Sequence, residues 1–143
     1  MKKILVVLGG DSREREISLE TAKSCIAALK NIGYKILKFD PKYSAISDIN
    51  KNKVDVIFNA LHGKGGEDGK IQSFFEYFSI PYTHSGVLAS MMAMNKFFSK
   101  KLFIKHGIKT PNYFFLNKKK YTKVNLVKLI KKNKLKYPIV IKP

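Results

Sequence analysis

Between residues 4 and 33 the chain changes its hydrophobic rhythm once, and that change constrains its fold more than any other feature. Ile4, Leu5, Val6, Val7 and Leu8 form an unbroken apolar run that Gly9-Gly10-Asp11 ends. Leu19, Ala22, Cys25, Ile26, Leu29 and Ile32 then recur at intervals of mostly three and four, and Gly33 stops them. The first pattern suits a strand covered on both faces; the second is one face of a helix. The alternation continues with a strand over residues 34–39, a turn at Asp40-Pro41 and a third strand over 54–61. Ile71, Phe74, Phe75 and Phe78 then mark a helix, and residues 80–83 a short fourth strand. Strand and helix in alternation predict βαβ units, hence an α/β fold with a parallel sheet.

From Ser85 the pattern changes. Residues 87–94 read as a short, nearly uncharged helix that belongs to a core rather than to a methionine-rich binding face. A second helix follows over about 95–106, with Gly107 ending it. Residues 113–116 read as a strand, 124–132 as a basic helix with Val127 and Ile130 inward, and 138–141 as a last strand. Lys118-Lys119-Lys120 reads as an exposed turn.

Composition narrows the functional classes. With 143 residues and 45% hydrophobic content the chain suits one domain, or one and part of a second, and is no disordered tail. The formal net charge of +18 is unevenly spread: residues 95–143 carry 15 lysines and no acidic residue. Clustered lysines suit phosphates, and a nucleic-acid surface is one reading. However, 26 of the 28 basic residues are Lys, where base or phosphate recognition favours Arg, so solvated lysine faces are the better reading. No run approaches the roughly 18 apolar residues of a membrane helix. The N-terminal apolar run is too short for a signal peptide. A single cysteine, Cys25, cannot form an internal disulfide; it lies on a helix stripe in a packing role, and a reducing cytoplasm is the expected compartment.

Three loops follow strand ends, where open α/β sheets place ligands. In the first, Gly9 to Glu16, the glycines do not match a dinucleotide fingerprint. Asp11 and Glu14 stand three apart before a helix, as in a capping box, and this is the favoured reading; the other makes Glu14 a carboxylate for a ligand ammonium. The second runs from Ala60 to Ser73 with four glycines, His62, Glu67 and Asp68, more backbone freedom than a connection needs. There His62 could donate to an anionic substrate and Glu67 could orient it or hold a cation, while Asp68 could cap the next helix. In the third, Thr83-His84-Ser85-Gly86, a helix start could present amides to an anion, and His84 is as well explained as a surface residue.

On these residues the sequence resembles the D-alanine:D-alanine ligase family of ATP-grasp enzymes. His62-Gly63-Lys64-Gly65-Gly66-Glu67-Asp68-Gly69-Lys70-Ile71-Gln72-Ser73 is similar to the family's H-G-x-x-G-E-D-G-x-aliphatic-Q-small motif at every position. The resemblance also takes in Leu8-Gly9-Gly10, Arg15-Glu16-Ile17-Ser18-Leu19, Pro81-Tyr82-Thr83, Ser85-Gly86-Val87-Leu88-Ala89-Ser90, Asn95-Lys96 and Pro138-Ile139-Val140-Ile141-Lys142-Pro143. It implies a Rossmann-like, parallel-sheet, pre-ATP-grasp substrate-binding domain over residues 1–94. The start of the ATP-grasp central domain would follow over 95–143. Family members are longer, so the chain is expected to be an N-terminal fragment, inactive by itself.

The implied reaction is ATP-dependent: one D-alanine carboxylate is phosphorylated, and the amine of a second attacks the acyl phosphate to give the dipeptide used in peptidoglycan. By motif position Glu14 would bind the first alanine's ammonium and Ile17 would pack near its methyl. His62 would sit by the reacting carboxylate and Glu67 would support the network, with Glu14 and His62 the catalytic pair. Lys96 and Lys142 would contact ATP. Mg²⁺ is implied with its carboxylates beyond Pro143, so no metal ligand is expected here. Expected partners are D-alanine and ATP, with a homodimer in the complete enzyme and neither nucleic acid nor membrane. The alternatives are another ATP-grasp carboxylate-amine ligase and, behind it, a basic nucleic-acid-binding module. Two positions depart from the family pattern: Asn95 stands where many members have Asp, and His84 where many have Gly.

Overall fold

In the computed structural model, which describes residues 1–49, 53–116 and 126–142, the chain forms two compact units, Met1–Met94 and Asn95–Pro143. The first holds strands β1 (Lys3–Val7), β2 (Lys35–Phe39) and β3 (Val56–Asn59), with helices α1 (Arg15–Asn31), α2 (Lys70–Tyr77) and α3 (Val87–Met94). The sheet is parallel, in the order β2-β1-β3.

The apolar run of β1 supplies both faces of this sheet, because successive side chains of a strand point to opposite sides. Leu5 and Val7 join Phe39, Ile57, Leu61, Ile71, Phe75 and Ile80 in one core. Ile4 and Val6 join Ala22, Ile26 and Ala60 in the other, under α1. Burying one such side chain stabilises by about 1.5–3 kcal/mol, so a polar substitution in β1 would damage a core whichever way it pointed.

The α1 stripe reads correctly at Ala22 and Ile26, while Leu19, Cys25 and Leu29 are half-buried. Its last member does not: Ile32 is exposed because the helix has ended there, Gly33 turning the chain with φ +89°. The amides of Gly33 and Tyr34 donate back to the carbonyls of Lys30 and Leu29, the paired bonds of a left-handed helix stop. The same stop closes α2 at Ser79, whose φ is +54°.

The expected fourth strand is reduced to one parallel bridge, Ile57 to Tyr82, held by the amides of Ile57 and Thr83. Pro81 within it has no amide to extend a ladder. Residues 87–94 are a helix as expected but not a core one. Ser90 is its buried residue, whereas Leu88 and Met91 are 70% and 55% exposed. Its near-absence of charge reflects no inward stripe, since apolar residues occur all round it.

The second unit holds α4 (Lys96–Lys105) and α5 (Leu126–Lys132). Asn95 caps α4, its Oδ1 accepting from the amides of Phe97 and Phe98. Asn and Asp cap equally well, so this departure leaves the helix start intact. Gly107 ends α4 as expected. The strands expected over 113–116 and 138–141 do not form: among the described residues of this unit no neighbouring strand gives them a ladder, and Val140 and Ile141 lie exposed. In α5, Ile130 is half-buried but Val127 is exposed, contrary to its expected inward position, since a single two-turn helix here buries only a narrow stripe. Val124, the Lys118-Lys119-Lys120 run and Pro143 lie outside the described residues.

Candidate functional site

Val7 pairs in register with Phe39 on one side and Asn59 on the other, so the loops after all three strands leave the same edge of the sheet. That edge is where a parallel sheet offers a binding crevice. Ser18, fully buried on α1, ties two of these loops together. Its hydroxyl accepts from the Gly9 amide at 2.8 Å and donates to the Ala60 carbonyl at 2.7 Å. A polar residue on the apolar stripe of α1 was the sequence signal for it.

Asp40, at the end of β2, anchors the first loop. Its carboxylate accepts from the Gly10 and Lys42 amides and pairs with Arg15 at 2.8 Å. Burial pushes the Asp40 carboxyl up, but the Arg15 guanidinium and the two amides outweigh it and hold the group below its ordinary value. The contact also raises the Arg15 pKa, chiefly through its hydrogen bond to Asp40. Neither residue stood out in the sequence as a partner of the other, because they lie 25 positions apart.

Capping by Glu14 is not what the structure shows. Glu14 occupies the cap position of α1, yet its side chain makes no capping hydrogen bond. Ser12 braces the turn before the helix instead: its hydroxyl accepts from the Glu14 amide at 3.1 Å and donates to the His62 carbonyl at 2.8 Å. The Glu14 carboxylate is left exposed and reaches the second loop, its Oε1 3.1 Å from where a side-chain carbon on Gly63 would stand.

The second loop is closed on itself. Asn59 and Gln72, both buried, donate their amides to one carbonyl, that of Gly66, at 3.0 and 2.8 Å. Gly66 must lack a side chain, since a carbon there would overlap Leu61 Cβ. Glu67 Oε2 accepts from the Gly63 amide at 3.0 Å. Asp68 accepts from the amides of Gly65 and Lys70, so it satisfies the first turn of α2 from one residue before the cap, Gly69.

His62 stands between the two loops and α1. Its Nε2 lies 3.1 Å from Thr21 Oγ1, and its Nδ1 faces Glu67 Oε1 at 3.7 Å. The structure therefore brings Glu14, His62 and Glu67 together around the Gly63 backbone. Ile17 lies one turn along α1 from Glu14 and is 53% exposed, an apolar surface open to solvent. The sequence assigns no role to Ser12 and Thr21, which contact His62, or to Asn59, which with the motif residue Gln72 holds the Gly66 carbonyl; a polar residue closing an apolar strand, as Asn59 does, is the available cue.

In the third loop the start of α3 is occupied from within. Glu76 Oε1 accepts from the Tyr82 hydroxyl at 2.7 Å and from the Val87 amide at 3.4 Å. Burial and this carboxylate push the Tyr82 phenol up to about 12. His84, exposed beside Phe58, has φ +82°, a conformation that favours glycine. In the second unit Lys96 opens α4 and Lys142 lies on the exposed segment after Pro138. Among the described residues no group of three or more His, Cys, Asp or Glu could hold a metal ion. No described helix is long and apolar enough to cross a membrane.

Comparison with known proteins gives one consistent answer. Residues 33–85 match the family described as D-ala D-ala ligase N-terminus. The chain is 54% identical over 142 residues to D-alanine--D-alanine ligase of Pelagibacter ubique, covering 99% of this chain and 46% of that one. It is 44% identical to D-alanine--D-alanine ligase B of Mesorhizobium japonicum, again over 142 residues, which are 44% of that protein. Among solved structures, the Bacillus anthracis D-alanine--D-alanine ligase complexed with ATP superposes with a TM-score of 0.74 at 34% identity, over 92% of this chain and 45% of that one. The Coxiella burnetii enzyme, at 23% identity and a TM-score of 0.77, shares the fold. The chain spans under half the length of the curated relatives it matches.

Proposed function

We propose that the chain belongs to the D-alanine--D-alanine ligase family and supplies that enzyme's first substrate pocket, at the sheet edge where Glu14, His62 and Glu67 meet. The observation that carries this reading is the Glu14 carboxylate, unused as a cap and directed at Gly63 beside His62. An exposed carboxylate there can take an ammonium in a charge-assisted hydrogen bond. His62 can donate to the carboxylate of the same amino acid, with Glu67 holding the loop backbone through the Gly63 amide. Ile17, on the same stripe of α1 as Glu14, offers apolar surface to a methyl group.

In this reading residues 1–94 are the substrate-binding domain and 95–143 the opening of the ATP-grasp central domain. Bound ATP supplies the phosphoryl group that activates the first D-alanine carboxylate for attack by the second amine. Lys96 and Lys142 suit that nucleotide by charge. The residues present do not suit Mg²⁺: residues 95–143 include no acidic side chain, and no described cluster fits a metal. What this chain contributes is placement of the first D-alanine and neutralisation of its charges. The complete protein is proposed to act in peptidoglycan precursor synthesis in the cytoplasm, as a homodimer, with this chain silent by itself.

The test is D-alanine-dependent phosphate release from ATP in a ligase of full family length carrying this region. Glu14→Gln should lower kcat/KM for D-alanine about ten-fold or more, from a lost charge-assisted bond of roughly 1.5–3 kcal/mol. Unchanged kinetic constants would remove Glu14 from the pocket.

A further inference from the structure

We infer that Glu67 is a positioning residue that sets the tautomer of His62, holding the neutral ring in the form that carries its proton on Nδ1, with the Thr21 hydroxyl completing the contact at Nε2. The inference rests on the reading of His62 as a substrate-facing group. Its geometry stands independently of that reading.

Both ring nitrogens have neighbours. Nδ1 faces the Glu67 carboxylate at 3.7 Å, and Nε2 lies 3.1 Å from Thr21 Oγ1. A carboxylate accepts hydrogen bonds and donates none, so a bare lone pair on Nδ1 would face negative charge. In a neutral imidazole the proton therefore belongs on Nδ1. Nε2 must then be an acceptor, which the Thr21 hydroxyl can satisfy by donating to it. This inverts the preference of a free histidine side chain, whose neutral ring favours a proton on Nε2. The two partners are fixed in different ways. Glu67 is held in its own loop by the Gly63 amide, and Thr21 is held by the helix whose residue Ser18 is tied to Ala60. The ring is thus oriented between two elements that the fold has already placed, the usual means by which a second contact selects the protonated nitrogen.

The consequence for recognition is directional. With Nε2 accepting from Thr21 and Nδ1 carrying the proton, the N–H that His62 can offer an anionic group is the one beside Glu67 and Gly63.

The experiment is a nitrogen-15 and proton correlation spectrum of the histidine rings in this 143-residue chain, in alkaline solution where imidazole rings are neutral. His62, His84 and His106 are the three histidines; His84 Nδ1 lies 3.0 Å from Thr83 Oγ1, so the exposed His106 serves as the internal control. The expected result is a His62 ring with Nδ1 protonated and Nε2 bare. In Glu67→Gln, whose amide can donate to a bare Nδ1, the balance should shift about five-fold or more toward the Nε2–H form, the equivalent of one hydrogen bond. A wild-type His62 protonated on Nε2 would overturn the proposal, even if Glu67→Gln fails to fold. A tautomer ratio unchanged in a folded Glu67→Gln would overturn it too. The functional reading fails by a different measurement: full activity of His62→Gln in the longer ligase would remove His62 from the substrate pocket and leave the tautomer result standing.

Discussion

The Glu14 carboxylate lies against Gly63, with 3.1 Å between its Oε1 and the point where a β-carbon on that glycine would stand. Gly63→Ala therefore does two things: it strains a backbone at φ +69° and it pushes Glu14 aside. Gly65 is the matched control, at φ +87° with nothing within 4 Å of an added carbon. Each substitution should destabilise by about 1–2 kcal/mol through backbone strain, measured by urea unfolding. In the longer ligase only Gly63→Ala should also raise KM for D-alanine; equal effects from both would disconnect Glu14 from the substrate.

Ser18 joins the Gly9 amide to the Ala60 carbonyl while fully buried. Ser18→Ala strands a donor and an acceptor away from water. We expect a loss of about 2–4 kcal/mol in unfolding free energy. A change below about 0.5 kcal/mol in the denaturant midpoint analysis would mean that the hydroxyl does not hold the two loops.

Asp40 should govern the acid limb of stability. Its folded-state pKa lies below the ordinary carboxylate value, so its contribution is complete above about pH 4 and disappears as pH falls through the lowered value. Asp40→Asn should be less stable than wild type at neutral pH and should flatten the decline below about pH 4. Parallel stability curves for the two proteins across that range would rule the Arg15 pair out as its cause.

Ser79 ends α2 in a left-handed conformation at φ +54°, where a β-carbon is disfavoured. Ser79→Gly should stabilise by about 0.5–1 kcal/mol and raise the melting temperature by a few degrees. A drop in melting temperature would show that Ser79 makes a contact worth more than the strain.

The sequence made the first unit readable wherever local pattern and tertiary packing agree. β1 and α1 are legible because an unbroken apolar run and a three-four stripe each admit one element. The capping reading of Glu14 fails because, although Asp11 and Glu14 have capping spacing, a serine between them, Ser12, takes the Glu14 amide. Residues 113–116 and 138–141 have strand composition, but a strand exists only through the ladder it shares with another, which no local window contains. The links from Asn59 and Gln72 to Gly66 were equally hidden, since a side chain's partner across a loop leaves no periodicity.

The shared carbonyl of Gly66 has a thermodynamic consequence. Two buried amides fasten it from either end of the loop, so the conformational entropy of Gly63, Gly65, Gly66 and Gly69 is surrendered when the chain folds. On the proposed function, little remains to be lost when a small amino acid binds. Calorimetry of that step should report the heat of desolvating and pairing charges, with only a small heat-capacity change, in contrast to the large one of a loop that orders around its ligand.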